Sequence, residues 1–358
     1  MKIKRFFLLI GLTSILSIGI VWLLYVSSER IMQQENPFIR RFIPQLVDFE
    51  TKIDLPSNSY YIAGFGDSVL YMGNLLAPLY AMEIDASLRT IKEIKLAPEE
   101  SSFNFRSVQF RVVPPNFFLF DGTVPCFYIG NINDWSAELK VDGDPYFTLA
   151  EPLDPYNFVF RSNKSITGEN ILGILNFACP EDYNLLENLL IKQNENDGIF
   201  DTDGFLLVDK ETSTIVYTYR YRNQFLILNS NGEVVSQGNT IDTVSVAKIK
   251  IERTSKGLEM SAPPTSVNLT GAVFKNHLFI SSALRGKYDD KKSWDKSATI
   301  DVYDTKNRIY LFSFYLTGLK DKKLKQFFVT EDKIYALFGS QIMAYKISGE
   351  LKNRLKSN

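Results

Sequence analysis

The chain has 358 residues, enough for one large β domain or two smaller ones. Its 27 Phe and 18 Tyr favour strands over helices. Forty basic residues against 41 acidic leave no cationic excess, which argues against a nucleic-acid partner; two cysteines make neither a disulfide scaffold nor a metal knuckle.

At the N-terminus, Lys2, Lys4 and Arg5 precede an uncharged, mostly apolar run over residues 6–26, the length needed to cross a bilayer as a helix. Positive charge on the short leading side keeps that end in the cytoplasm. Residues 1–27 are therefore expected to be a transmembrane anchor or a signal peptide, and both readings stay open. Val26-Ser27-Ser28 fits a small-residue cleavage site, whereas the 21-residue core is long for a signal peptide. The absence of a cysteine close behind argues against a lipoprotein. The expected address is a bacterial inner membrane, single-pass, with the C-terminal domain in the periplasm, or a secreted or periplasmic protein if the segment is cleaved. Residues 28–46, with Pro37 and Pro44, read as a polar juxtamembrane linker whose Arg40 and Arg41 are solvated or touch lipid headgroups.

From Val47 the pattern turns to strands. Six segments share one grammar: an apolar strand, a tight turn, a second strand, then Asp, Asn or Ser-Gly. They are 69–85, 117–134, 157–177, 204–235, 277–304 and 334–347. The fourth is the clearest. Ile215, Tyr217, Tyr219 and Tyr221 alternate with Val216, Thr218, Arg220 and Arg222, a period of two that belongs to a pleated sheet. The three tyrosines fill the space between sheets or, on a second reading, stack a sugar or peptide. One segment departs from this grammar. Pro180-Glu181-Asp182 followed by Leu185, Leu186, Leu189 and Leu190 predicts a short helix packed outside a sheet, with a partner interface as the alternative.

Equivalent strands recur every 40 to 60 residues, the range of propeller blades. Radial arrangement removes exposed sheet edges, and a strand over 47–55 closes the last blade. A pair of sandwiches needs a mid-chain linker, and a solenoid needs shorter repeats. The strand-and-turn rhythm, with Asp203-Gly204 and Asn231-Gly232 at its turns, resembles six-bladed β-propellers of the TolB-like and NHL-like kind, many of them extracytoplasmic. The expected fold is therefore all-β: a β-propeller of six four-stranded blades over residues 47–354, behind an N-terminal transmembrane helix.

Familiar catalytic signatures are missing. His277 is the only histidine and sits inside an apparent strand, so a structural role is expected. No phosphate loop, nucleophile elbow or dinucleotide fingerprint appears. The acidic run 194–204 fails a calcium-loop template, with Ile199 and Lys210 at ligand positions, and reads as turns. Cys126 and Cys179 fall in apparent strands of neighbouring repeats, as a disulfide or as two thiols. No metal or other cofactor is expected.

Arg161, Arg222 and Arg285 each follow the end of the second strand of a unit, at spacings of 61 and 63 residues. In a propeller such turns gather on the ligand-taking face, where three guanidinium groups favour a carboxylate or phosphate. Solvated turn residues are the alternative. The loop 286–297, carrying Tyr288 and Trp294, overhangs that face. The sequence thus predicts a non-catalytic binding or scaffold protein for a protein, peptide or small anionic ligand at the membrane surface. A propeller hydrolase or lactonase, using a divalent metal in the central channel, is the second reading. An accessory subunit of a membrane complex is the third.

Overall fold

The computed structural model describes residues 2–32, 37–99, 105–179, 182–193, 197–255, 257–318 and 322–356. The apolar N-terminal run forms helix α1 (Lys2–Met32), and its stretch Leu9–Ser27 is long and apolar enough to cross a membrane by length and composition. Strand β1 (Val47–Asp54) follows, then β2 (Tyr60–Gly66), β3 (Val69–Asn74), β4 (Tyr80–Asp85) and β5 (Ile91–Lys95), the last four forming one antiparallel sheet in sequence order. A short β6 (Ala97–Pro98) precedes β7 (Val108–Val113), β8 (Asn116–Asp121), β9 (Cys126–Asn131) and β10 (Ser136–Asp142), and joins β10 in parallel at the sheet's outer edge.

The third sheet is β11 (Leu149–Pro152), β12 (Asn157–Asn163), β13 (Asn170–Asn176) and β14 (Asn184–Leu186). The fourth is β15 (Gly204–Asp209), β16 (Thr214–Tyr219), β17 (Gln224–Leu228) and β18 (Val234–Asn239). A separate hairpin, β19 (Ile251–Thr254) and β20 (Gly257–Met260), comes next. The fifth sheet is β21 (Asn268–Phe274), β22 (His277–Ser282), β23 (Ser297–Asp304) and β24 (Ile309–Thr317), with helix α2 (Lys291–Lys296) between its second and third strands. The sixth has β25 (Leu324–Val329), β26 (Lys333–Phe338) and β27 (Gln341–Ile347), then helix α3 (Gly349–Lys356). Its fourth strand is β1, which pairs antiparallel with β27 from Val47↔Ile347 to Asp54↔Gln341.

The first strands of the sheets touch one another in a closed circuit, β2 to β7, β11, β15, β21, β25 and back to β2, so they stand innermost. Each sheet also shares an apolar core with the next. Tyr71 packs with Phe110, Phe120 with Phe158, Leu172 with Tyr217, Val216 with Ile280, Phe279 with Ile334, and Leu337 with Leu70. Six sheets around one axis, closed by the chain's own N-terminal strand, make a six-bladed β-propeller. The alternation in β16 serves two neighbours at once: Ile215, Tyr217 and Tyr219 fill the core toward the third blade, and Val216 the core toward the fifth. The tyrosines are thus buried packing, with Tyr217 donating its hydroxyl to the Thr202 carbonyl at 2.6 Å.

The recurring Asp, Asn or Ser has a physical job. Asp85, Asn131, Asn176, Asn229 and Asp304 each close the third strand of a blade, and their side chains accept the amide two residues on, in Ser87, Asn133, Ala178, Asn231 and Lys306. In the sixth blade Ser348 follows the third strand and its hydroxyl accepts the amide three residues on, in Leu351. The Ser87 hydroxyl and the amides of Arg89 and Thr90 hold the Asp85 carboxyl well below the usual carboxylate range. Two inner hairpins turn at Asp67-Ser68 and Lys275-Asn276, with both residues of each pair at positive φ, as two-residue hairpin turns require.

Three expectations are corrected. The stretch expected to be helical, 180–190, supplies strand β14 instead, with Leu186 opposite Leu172 (residues 180 and 181 lie outside the described set). Its leucines satisfy the open edge of β13, and Leu186, Leu189 and Leu190 pack inward on the core between the third and fourth blades. Cys179 lies not in a strand but in the turn beyond β13, exposed, while Cys126 is buried in β9, and both are free thiols. Arg40, expected in solvent or at headgroups, is buried against the fifth blade.

Candidate functional site

The alternation of strands sorts the loops onto two faces. The upper face collects the turns between second and third strands and the links between blades. The lower face collects the remaining hairpin turns. Arg222 and Arg285 lie in upper-face turns, each three residues beyond the second strand of the fourth and fifth blades, whereas Arg161 lies not beyond but within β12, near its upper end in the third blade.

Their surroundings differ. Arg161 reaches across to the fourth blade, where it pairs with Asp203 at 2.7 Å and donates to the Gly204 carbonyl and the Tyr217 hydroxyl, each at 3.3 Å. Burial opposes its charge, and Tyr217 and Asp203 outweigh it, so its pKa is raised. Asp203 also pairs with Arg220 at 3.1 Å, and Arg220 donates to the Leu269 carbonyl on the innermost strand of the fifth blade. Arg220 was not a candidate from sequence, because its position in the alternation looked like that of any surface strand residue.

Arg222 is 1% exposed. Its guanidinium lies 3.7 Å from the centre of the Tyr219 ring and donates Nη2 to the Ile191 carbonyl at 2.9 Å. Its Nε and Nη1 meet no acceptor. Arg285 is half-buried beyond β22. Trp294 is half-buried in α2, whose first turn is capped by the Asp290 carboxylate accepting from the Ser293 amide at 2.8 Å.

The Trp294 ring lies 5.6 Å from the guanidinium of Arg40, the strongest polar feature of this region. Arg40 Nε and Nη2 meet the two oxygens of Asp301 at 2.7 and 3.0 Å, and Nη1 pairs with Asp289. Nη2 also donates to Ser282 Oγ at 2.8 Å and to the Leu284 carbonyl at 2.9 Å. Burial disfavours the charge, yet Asp301 and Asp289 more than offset it and raise the Arg40 pKa. Around it the Phe38 carbonyl accepts the Lys287 amide at 3.0 Å, Phe38 packs with Val244, Val267 and Leu284, and Phe42 stacks on Tyr315 with centroids 4.4 Å apart. Residues 37–46 thus lie along the fifth blade. The sequence carried one signal for this site: Asp301 sits among Ile300, Val302 and other apolar strand residues, where an acid needs a hidden cation.

Two clefts open beside these groups. One, of about 240 Å³, lies on the upper face between the third and fourth blades, walled by Leu186, Leu189, Leu190 and Ile191, with Lys164 and Lys192 and the Glu169 they both pair with among its lining. The other, of about 400 Å³, lies on the lower face between the fourth and fifth blades, among Thr212, Ser213, Asn229, Asn276, Lys306 and Arg308. Between the innermost strands, Arg111 grips Glu151 through both oxygens at 2.7 to 3.0 Å. Among the described residues no three His, Cys, Asp or Glu side chains are grouped to hold a metal ion. In the acidic run, Asp197 accepts the amides of Ile199 and Phe200, and Asp201 those of Gln193 and Gly198, while residues 194–196 lie outside the described set. His277 is buried, with Nδ1 2.8 Å from the Lys275 carbonyl, and burial lowers its pKa.

The architecture and its closure define a six-bladed β-propeller. Among solved structures, the chain is similar to a member of the DUF4221 family from Bacteroides vulgatus, at 9% identity over 84% of this chain and 97% of that one, with a TM-score of 0.54. It is also similar to BamB from Moraxella catarrhalis, at 10% identity over 84% of this chain and 99% of that one, with a TM-score of 0.44. At such identities the likeness is one of fold. No protein-family model and no curated protein sequence matches the chain.

Proposed function

We propose that this chain is a non-catalytic binding protein of the TolB-like or NHL-like kind, held by α1 on the periplasmic side of a bacterial inner membrane. Its upper face takes an acidic segment of a protein or peptide at the membrane surface. The upper-face cleft carries this reading: a leucine and isoleucine wall offers burial to an apolar side chain, and Lys164 and Lys192, which pair with Glu169 at 3.7 and 2.6 Å, can exchange that carboxylate for one on an incoming segment. Behind the wall, the buried Arg222 guanidinium, stacked on Tyr219 with Nε and Nη1 meeting no acceptor, adds positive charge to this region without lining the cleft. Arg161, Arg285 and Trp294 flank the same face. The carboxylates that metal-assisted hydrolysis would draw on are already engaged: Glu151 by Arg111, and Asp203 by Arg161 and Arg220.

The test is photo-crosslinking in native membranes from positions 189 and 191, with position 230 on the lower face as control. A partner captured only from the upper face supports the reading. Its affinity for the Lys164→Glu/Lys192→Glu protein, and for the Arg161→Ala/Arg222→Ala/Arg285→Ala protein, should drop at least tenfold, on the scale of one lost charged hydrogen bond. Unchanged affinity in both would end the proposal.

A further inference from the structure

The two faces differ in what their loops expose. On the upper face, Leu75 and Leu76, Ile166, Ile191, Val246 and Tyr288 project from the loops of four blades, Leu76 being 83% and Ile166 96% exposed. On the lower face, among the described residues, Tyr156 is the large hydrophobic exposed in a loop, with Ile91, Val234, Val235 and Ile309 exposed at the starts of outer strands; the turns themselves carry charged groups such as Glu211, Lys275, Lys306 and Arg308. Scattered exposed apolar residues are ordinary, but a concentration of them at the loop tips of one face is not.

The chain enters the propeller on that same face. Phe38 is tied to Lys287, next to Tyr288, and Arg40 is locked under it by Asp289 and Asp301. Between Ser27, where the apolar span ends, and Phe38 lie only residues 28–37. Five of them are helical, so even at full stretch the segment reaches at most about 25 Å, at ~1.5 Å per helical and ~3.4 Å per extended residue. Most of the blades' strands are six or seven residues long, so the ring stands ~20 Å tall. With the lower face turned to the membrane, nearly the whole tether would be spent climbing the ring's own height.

We infer that the upper face rests on the lipid bilayer, with the loop tips at Leu75–Leu76, Ile166, Val246 and Tyr288 seated in the headgroup layer. Tyrosine and lysine, adjacent here at Lys287–Tyr288, are residues that this layer accommodates through an apolar body and a polar tip. The inference rests on the reading that α1 stays in the membrane, and it narrows the proposed partner to a segment lying at the bilayer surface.

Full-length protein carrying Cys179→Ser, in which the remaining Cys126 is buried, is labelled at single sites, Leu76→Cys, Ile166→Cys or, on the lower face, Thr212→Cys. Each is reconstituted into phosphatidylethanolamine/phosphatidylglycerol vesicles containing doxyl-labelled lipid. Labels at 76 and 166 are expected to be quenched several-fold more than the label at 212. Equal quenching at the three sites in protein that resists carbonate extraction overturns the orientation while leaving the anchor intact. Protein that has lost α1 and leaves native membranes in carbonate overturns the anchor, and the docked face with it. Upper-face labels untouched by doxyl lipid, yet shielded from iodide in native membranes, would show a protein on that face and overturn the bilayer as its occupant.

Discussion

Replacing Arg40 with Ala isolates the contact between tether and ring. The substitution leaves Asp301 and Asp289, each 2% exposed in its side chain, without their cation, and strips a donor from Ser282 Oγ and the Leu284 carbonyl. Breaking a buried pair by removing one partner costs ~3–5 kcal/mol, chiefly from the charge left behind. Two carboxylates here share one guanidinium, so about 4 kcal/mol is expected, read as a lowered urea midpoint of the full chain in detergent. The variant should also acquire a pH dependence. Without Arg40, burial and mutual repulsion raise the carboxyl pKa values in the folded state. The folded form then binds more protons than the unfolded one, and the deficit at pH 7 shrinks toward pH 5. Adding Asp289→Asn and Asp301→Asn to Arg40→Met should restore part of the loss at pH 7. A deficit below ~1 kcal/mol, or one independent of pH, would refute the claim that this buried cluster holds the tether.

The other predictions are local. Maleimide should modify one thiol in the native protein, Cys179, and two after unfolding, because burial pushes the Cys126 thiol up to about 12; mass spectrometry counts the adducts. Burial lowers the pKa of His277, so the unfolded chain binds the extra proton first as pH falls below ~6.5. Its contribution is present above that pH and lost on acidification, and the stability difference between wild type and His277→Gln should narrow from pH 7.5 to 5.5 in denaturant titrations. Gly173→Ala would set a methyl group 2.4 Å from a ring carbon of Phe160, its cross-strand neighbour, and should destabilise by ~1–3 kcal/mol in the same assay. Gly349→Ala, whose methyl group meets nothing within 4 Å, serves as the near-neutral control.

The blades were legible because each repeats a local code. Alternation in Ile215 to Tyr219, and an Asx residue closing the third strand, depend on near neighbours in sequence. The leucines at 185, 186, 189 and 190 misled because four apolar residues at that spacing suit a helical stripe as well as a strand plus a turn. Only the open edge of β13, a feature of the assembled sheet, chose between them. Arg40 was unreadable for a deeper reason. Its carboxylate partners lie 249 and 261 residues away, so nothing near it distinguishes a buried cation from a solvated one. The position of the three arginines on one face followed from the repeat, whereas the partners that engage them, Asp203 for Arg161 and Tyr219 for Arg222, came from the packing of blades.

The strand that completes the sixth blade leaves the ribosome long before its partner and is the last to find its place. Val47 must await Ile347, 300 residues later, which at ~5–20 residues per second is a delay of roughly 15–60 s. Throughout it, the strand stands with both edges open, at risk of pairing with a neighbouring nascent chain. For this molecule the dangerous interval is set by translation speed, and a slower ribosome lengthens it.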